Sequence, residues 1–391
     1  MNEEIGVVGI NSRAVAASAK RLNYVVYLVD YFRDVDTQKV ADFHYPLQRD
    51  PLKPDLENEY SQDELVNHTI DELDGRVDSL LITSDLGCNP KLVKELEGYF
   101  RILGNSSKQI AGAKNWGVLK KIFDEIGMLY PKTIVARSFR DLLNAVDKLG
   151  YPLVVKSLVK GTEIAPALIS DGDDLRVYQD MKIDHDVLVQ EYIKGDGISS
   201  SVLSDGGEAV TLSVNKQLVG VKEFGTEDEF MYCGNIVPLD SLADDDIIAA
   251  QSSRLISRLK LTGSNGVDYL VSDDGVYFME VNTRFQDTLE CVEKYRGINL
   301  VEEHLKAIEG DLLMPKEESS RCFGKGILYA HRNLLVKDLT GLEDVGDIPF
   351  PRSRVRESEP LCSIYSEGRD NEEAFLGLLN RVEMVRDKFL Y

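Results

Sequence analysis

The stretch GSNGVDYLVSDDGVYFMEVNTRFQDTL, residues 263–289, constrains this chain more than any other. Residues 267–271 and 276–281 are two short runs of strand formers, and Asp273-Asp274-Gly275 between them is a turn signal. An antiparallel hairpin is expected. Strict alternation puts Asp268 with Leu270 on one face of the first strand. On the second it groups Phe278, Glu280 and Asn282, with Tyr277, Met279 and Val281 opposite. Asp268, Glu280 and Asn282 can then converge on one side. Hard oxygen donors held by a rigid sheet suit Mg²⁺, which takes one or two carboxylates and completes its shell with phosphate oxygens and water. Arg284, two residues on, is placed to neutralise a developing anion. A solvated edge hairpin would carry the same acids with no metal between them.

The rest of the chain bears on that choice. Its 391 residues allow two or three domains, and 43% hydrophobic with 29% charged residues is a globular balance. A net charge of −22 argues against a general nucleic-acid binder, which needs clustered Lys and Arg. Cys88, Cys233, Cys291, Cys322 and Cys362 are scattered, with no CxxC and no Cys/His ligand spacing, so neither a disulfide framework nor a zinc site is expected. Met1-Asn2-Glu3-Glu4 lacks the basic start of a secretory leader, and no run approaches the roughly 20 apolar residues of a membrane span. A cytoplasmic protein with no membrane or nucleic-acid partner is the expectation.

In chain order, residues 5–10 and 25–30 read as buried parallel strands flanking a small-residue helix at 14–22, and residues 80–83 and 101–104 as further strands. This predicts a doubly wound α/β domain over 1–106. Gly6 and Gly9 do not complete a dinucleotide fingerprint. The glycines suit a tight strand-to-helix turn; alternatively Asn11, Ser12 and Arg13 fall at a helix N-terminus, a place that binds anions, where a carboxylate is more plausible than NAD. Asp30 would touch a ribose or an amine, or simply cap. Helices are predicted from Lys114-Asn115-Trp116 to 126 and over 137–149. Strands follow at 151–156, ending on Lys156, and at 187–193, and a hairpin over 198–214. Lys216 and Asn235 are candidates for the acceptor side, or part of a surface excursion. Residues 289–309 read as one helix with a Glu290–Lys294 pair. Residues 311–391 read as a small α+β cap that ends in an amphipathic helix.

Lys114, Lys156, the strand around Gln190 and the acidic hairpin occur in an order that resembles the ATP-grasp superfamily over 107–310. Narrower phrases, among them VQEYIKGDGISSSVLSDG, YCGNIVPL and EVNTRFQDTLE, resemble predicted ATP-dependent carboligases related to biotin carboxylase. The resemblance implies an ATP-grasp fold with two lobes, 107–186 and 187–310, behind the N-terminal domain. By the same likeness Lys114 and Lys156 contact ATP phosphates. Gln190, Glu191, Tyr192 and Ile193 form the adenine hinge, and Asp196 takes the ribose. Asp268, Glu280 and Asn282 hold Mg²⁺, or Mn²⁺, and Arg284 stabilises an acyl phosphate. The pattern departs from the family in three places. The loop after Lys156 carries only Gly161, with Lys160 beside it; Thr283 stands where a proline is usual; and Gly197 replaces an acid.

The implied function is an ATP-dependent ligase that joins a carboxylate to an amine or other nucleophile, releases ADP and phosphate and acts on small molecules; homodimers are common among such ligases, and the sequence leaves the oligomeric state open. Two alternatives remain at this point: a bicarbonate-activating carboxylase type, and a nucleotide-binding protein without catalysis. No GxSxG is present, and the five histidines show no triad or metal spacing.

Overall fold

The computed structural model describes residues 3–390 except 49–60, 159–163, 165, 180, 182, 184, 241–244 and 315–317. The N-terminal part is a five-stranded parallel sheet in the order β3-β2-β1-β4-β5. Its strands are β1 (Glu4–Val8), β2 (Val25–Asp30), β3 (Phe43–Pro46), β4 (Ser79–Ile82) and β5 (Arg101–Ile102), with helices α1 (Arg13–Arg21), α2 (Gln62–Leu73) and α3 (Pro90–Leu96). Helices on both faces bury the continuous apolar run Ile5-Gly6-Val7-Val8, as a parallel sheet requires. Order reverses at β1, so the turns after β1 and β4 open side by side. Gly9 makes that junction possible, because a Cβ there would lie 2.1 Å from Thr83 Oγ1.

The next segment holds α4 (Ser107–Ala113), α5 (Trp116–Ile126), β6 (Thr133–Ala136), α6 (Phe139–Leu149), β7 (Leu153–Ser157), β8 (Ala167–Ile169) and β9 (Val187–Glu191). A capping box, Ser106 with Gln109, starts α4. Lys114 ends α4, and Asn115 caps α5 by accepting from the Val118 N–H, so Lys114 stands on a helix corner. The four strands form an antiparallel sheet, β6-β9-β7-β8.

Residues 192–195 cross from β9 into an eight-stranded sheet, β14-β13-β10-β11-β12-β15-β19-β17. Its members are β10 (Asp196–Asp205), β11 (Ala209–Val219), β12 (Tyr232–Val237), β13 (Thr262–Ser272), β14 (Gly275–Asn282), β15 (Cys322–Tyr329), β17 (Val345–Gly346) and β19 (Pro360–Gly368). A separate ribbon pairs β16 (Leu334–Leu335) with β18 (Arg354–Val355). Helix α7 (Asp245–Leu259) packs on one face of the large sheet, burying Ile248, Leu255 and Ile256 with Val267 and Tyr269. Helices α8 (Leu289–Arg296) and α9 (Leu300–Ile308) pack against α1 in a second core. The closing helix α10 (Asn371–Leu390) lies along β15 and β19. β15 hydrogen-bonds directly to β12, with Gly234 opposite Gly326, so residues beyond 311 extend the central sheet.

Two expectations change here. The helix expected over 289–309 is two helices, because Gly297 takes a left-handed φ of 63° and ends α8. The Glu290–Lys294 pair is absent. Glu290 turns toward Arg13, Lys325 and Tyr365, while the Lys294 ammonium lies over the Phe323 and Tyr365 rings. Burial among stronger partners outranks an exposed i,i+4 contact worth only about 0.2–0.5 kcal/mol.

His304 on α9 joins the N-terminal sheet to β13. Its Nδ1 accepts from the Ser264 N–H at 2.8 Å, and its Nε2 lies 3.0 Å from the Leu103 carbonyl, to which it donates. A side chain at Gly263 would enter the ring, with a Cβ 2.3 Å from Cε1. Burial lowers the His304 pKa from 6.5 to about 4. The folded value lies below the unfolded one, so this stabilisation is full above pH 6.5 and is lost as pH falls through about 4. A shift of that size is worth about 3 kcal/mol. His304→Gln is expected to flatten the pH 4–6.5 limb of a urea-unfolding series relative to the parent chain. An unchanged limb would show that His304 does not set it.

Candidate functional site

The hairpin forms as expected, with an irregularity that matters. β13 and β14 pair Asp268 opposite Glu280, but Tyr269 opposite Phe278, so Met279 is an extra residue in β14. This bulge corrects the strict alternation. Phe278 and Val281 both enter the core against Phe123 and Tyr269, while Glu280 and Asn282 share the other face with Asp268. The three oxygen-bearing side chains converge, and Phe278 does not join them. The Asp268 carboxylate accepts from Gln217 Nε2 at 2.9 Å and Asn282 Nδ2 at 2.8 Å. The Asn282 nitrogen faces Asp268, so the amide would have to turn over to serve as a ligand. The sequence placed Gln217 only within the 215–218 run on the acceptor side; it reaches Asp268 because β11 lies beside β10, which pairs with β13.

Two distant lysines come to the same strand. Lys114, buried at the α4–α5 corner, donates to Glu280 Oε1 and to the Val281 carbonyl, both at 2.9 Å. Lys156, near the end of β7, donates to the bulge carbonyl of Met279 at 2.9 Å. The two lysines and two acids therefore form one cluster between the four-stranded and eight-stranded sheets. Lys160 and Gly161 lie outside the described residues.

The hinge segment lies where β9 passes into β10. Gln190 is buried and donates to Thr133 Oγ1 at 2.9 Å. Glu191 points outward: it accepts from the Lys132 backbone N–H at 2.8 Å and from its ammonium at 3.0 Å. The side chains of Gln190 and Glu191 are thus engaged within the protein. The Tyr192 N–H donates to the Pro152 carbonyl at 3.2 Å. Ile193 is half-buried and Asp196 exposed at the start of β10.

Arg284 reaches into the N-terminal part. Its Cβ packs on Gly87, one amino group lies 3.4 Å from Asp85, and the other donates to the Phe285 carbonyl at 2.9 Å. Burial opposes its charge, but Cys88, Asp85, Asp287 and Glu280 more than restore it. Cys88 itself sits 3.9 Å from Asn282 Oδ1. The turn after β4 thereby forms one wall of the site, a contact no local pattern signals.

Lys216 and Asn235 do not converge. Lys216 is exposed and lies on the opposite face of β11 from Gln217, the residue that pairs with Asn235. Asn235 is fully buried and donates to the Tyr232 hydroxyl at 2.8 Å. Asp30 is also buried, 2.9 Å from His44 Nε2, and burial raises its pKa to about 6. Among the described residues no group of three or more His, Cys, Asp or Glu side chains is set to hold a metal, and no helix is long and apolar enough to cross a membrane.

An α/β chain whose acidic hairpin and two lysines meet between two sheets has the layout of an ATP-grasp fold. Residues 150–288 match the model of the ATP-grasp domain family. An uncharacterized protein of Methanocaldococcus jannaschii is 24% identical over 361 residues, 92% of this chain and 87% of that one. The carbamoyl phosphate synthase large chain of Saccharolobus islandicus is 24% identical over 228 residues, 56% of this chain and 21% of that one. Among solved structures, a biotin carboxylase of Campylobacter jejuni superposes at TM-score 0.74 and 14% identity, covering 100% of this chain and 92% of that one. An ADP complex of the N5-carboxyaminoimidazole synthetase of Staphylococcus aureus superposes at TM-score 0.70 and 17% identity, covering 98% of each.

Proposed function

We propose that this chain is an ATP-dependent ligase that activates a carboxylate as an acyl phosphate for attack by an amine. The observation that carries this reading is the pairing of Asp268 with Glu280 across adjacent strands, with Lys114 and Lys156 bonded to the same strand. A carboxylate is a poor electrophile because its leaving group would be an oxide. Attack of a carboxylate oxygen on the γ-phosphorus breaks the bond to ADP and turns that oxide into phosphate. The amine nitrogen then adds to the acyl carbon, loses a proton and expels phosphate.

The charge on the transferring phosphoryl group must be neutralised in place. Lys156 and Lys114 supply two ammonium groups, and Arg284 a guanidinium on the acceptor side. Asp268, Glu280 and a turned Asn282 form a hard-oxygen set that fits Mg²⁺, which supplies Lewis-acid charge to phosphate oxygens. Residues 190–193 offer backbone groups to the adenine. Relatives captured with ADP, and one with ADP and 5-aminoimidazole ribonucleotide, support the nucleotide part of this reading.

The test is an ADP-release screen with Mg²⁺ over pools of carboxylic acids and amines, followed by mass spectrometry of the product. A separate arm supplies bicarbonate with no organic acid; ADP release there would favour the carboxylase type. EDTA is expected to abolish turnover. Lys156→Met is expected to lower it on the order of 100-fold, the scale of one lost transition-state contact. ATP turnover that no acid or bicarbonate raises would overturn the reading.

A further inference from the structure

Asp268 is held from two sides. One oxygen accepts from Gln217 Nε2 at 2.9 Å, and the other accepts from Asn282 Nδ2 at 2.8 Å. The Asn282 amide has to turn over before its oxygen can serve a metal, and it then lets go of Asp268. Gln217 remains as the amide that fixes this carboxylate. An ionised carboxylate only accepts hydrogen bonds, so the Gln217 nitrogen must face Asp268 and its oxygen must face away.

That oxygen looks toward the hinge. Ser199 on β10 pairs with Asp268 on β13 and with Asn215 on β11, so these three positions share one face of the sheet. Two residues nearer the hinge on β10, about 7 Å along the strand, the same face carries Gly197, with Gln217 beside it on β11. A Cβ at Gly197 would lie 3.0 Å from Gln217 Oε1 and 3.4 Å from Gln217 Cβ. Glycine therefore gives the amide its room, and a side chain there would press on the oxygen. Gln217 is half-buried, and its oxygen is bonded to no group among the described residues. Asp196, expected at the ribose, alternates onto the other face with Ile198, which is buried in the same core as Tyr269. On the face of Asp268, the open acceptor next to the hinge is Gln217.

We infer that Gln217 joins the nucleotide sugar to the metal acid: its amide oxygen accepts from a ribose hydroxyl while its nitrogen holds Asp268. This rests on the nucleotide part of the ligase reading and adds to it the residue that reads the sugar. β10 runs from the hinge to the position opposite Asp268. A nucleotide with its base at residues 190–193 and its phosphates at Asp268 and Glu280 therefore lays its sugar over Gly197, within reach of the Gln217 oxygen. Gln217 binds and positions; no bond is made or broken at it.

Isothermal titration of the full chain with Mg²⁺ and ADP, 2′-deoxy-ADP or 3′-deoxy-ADP tests it. ADP is expected to bind about fivefold to tenfold more tightly than the analogue that lacks the bonded hydroxyl. Gln217→Leu is expected to weaken ADP and bring it level with both analogues. The same variant is expected to lower the Mn²⁺ affinity of the ADP-bound chain on the order of tenfold, read from the electron paramagnetic resonance signal of free Mn²⁺. Equal binding of all three nucleotides by the parent chain, or a Gln217→Leu chain that still prefers ribose, would overturn the sugar contact. Unchanged Mn²⁺ affinity in Gln217→Leu would overturn the hold on Asp268. The nucleotide comparison within the parent chain needs no variant, so a folding defect in Gln217→Leu does not remove the test. If none of the three nucleotides binds, the ligase reading falls together with this assignment; if all three bind alike, the sugar contact alone falls.

Discussion

Glu280→Gln is expected to lower Mg²⁺-dependent ADP release on the order of 100-fold or more, with MgADP affinity falling alongside it. Glutamine keeps the shape and an acceptor oxygen for the Lys114 ammonium, which now lies 2.9 Å from Glu280 Oε1. It removes one of the two carboxylate charges that face each other across β13 and β14. A divalent cation held largely by these two carboxylates loses half its protein charge, whereas metal-free ADP binding should change only a few-fold. Titration with ADP in the presence and absence of Mg²⁺ separates the two effects. Unchanged turnover in the variant would remove this hairpin from the chemistry.

Arg13→Met is expected to cost about 3–5 kcal/mol of stability at neutral pH, read as a large drop in the urea midpoint. The guanidinium touches Asp347, Glu290, Asp36 and Tyr365 together. Those partners come from the N-terminal strap, α8, β19 and the turn after β17, so the loss is felt in three parts of the chain. Burial would raise the Asp347 pKa, but Arg13 and Lys325, with hydrogen bonds from Arg13 and Ser363, hold it well below the carboxylate range. The folded value is depressed, so this stabilisation is present above the unfolded pKa near 4 and is lost as pH falls below it. The gap between parent and variant should therefore narrow from pH 7 to pH 3. A gap independent of pH would mean that Arg13 contributes by packing rather than by charge.

Much of the fold was legible because local patterns carried it. The apolar runs of β1, β2 and β4, and the Gly127 stop after α5, are short-range signals. So was the hairpin, whose turn at Asp273-Asp274-Gly275 forms as read. The convergence of Lys114 and Lys156 on β14 was legible only through family likeness, since each lysine alone resembles any solvated one.

What the sequence determined by itself is the kind of each element and the identity of the charged groups, because periodicity and turn chemistry act over a few residues. What only the tertiary structure decided is which charge answers which. Arg13 meets Asp347, 334 positions away, and thereby stops being an anion site. Met279 bulges from β14, which sends Phe278 to the core and leaves Glu280 facing Asp268. Gln217 reaches Asp268 only because β10, β11 and β13 lie side by side. Electrostatic and hydrogen-bond partners are chosen by distance in space and by the cost of burial, and neither is written in the local order of residues.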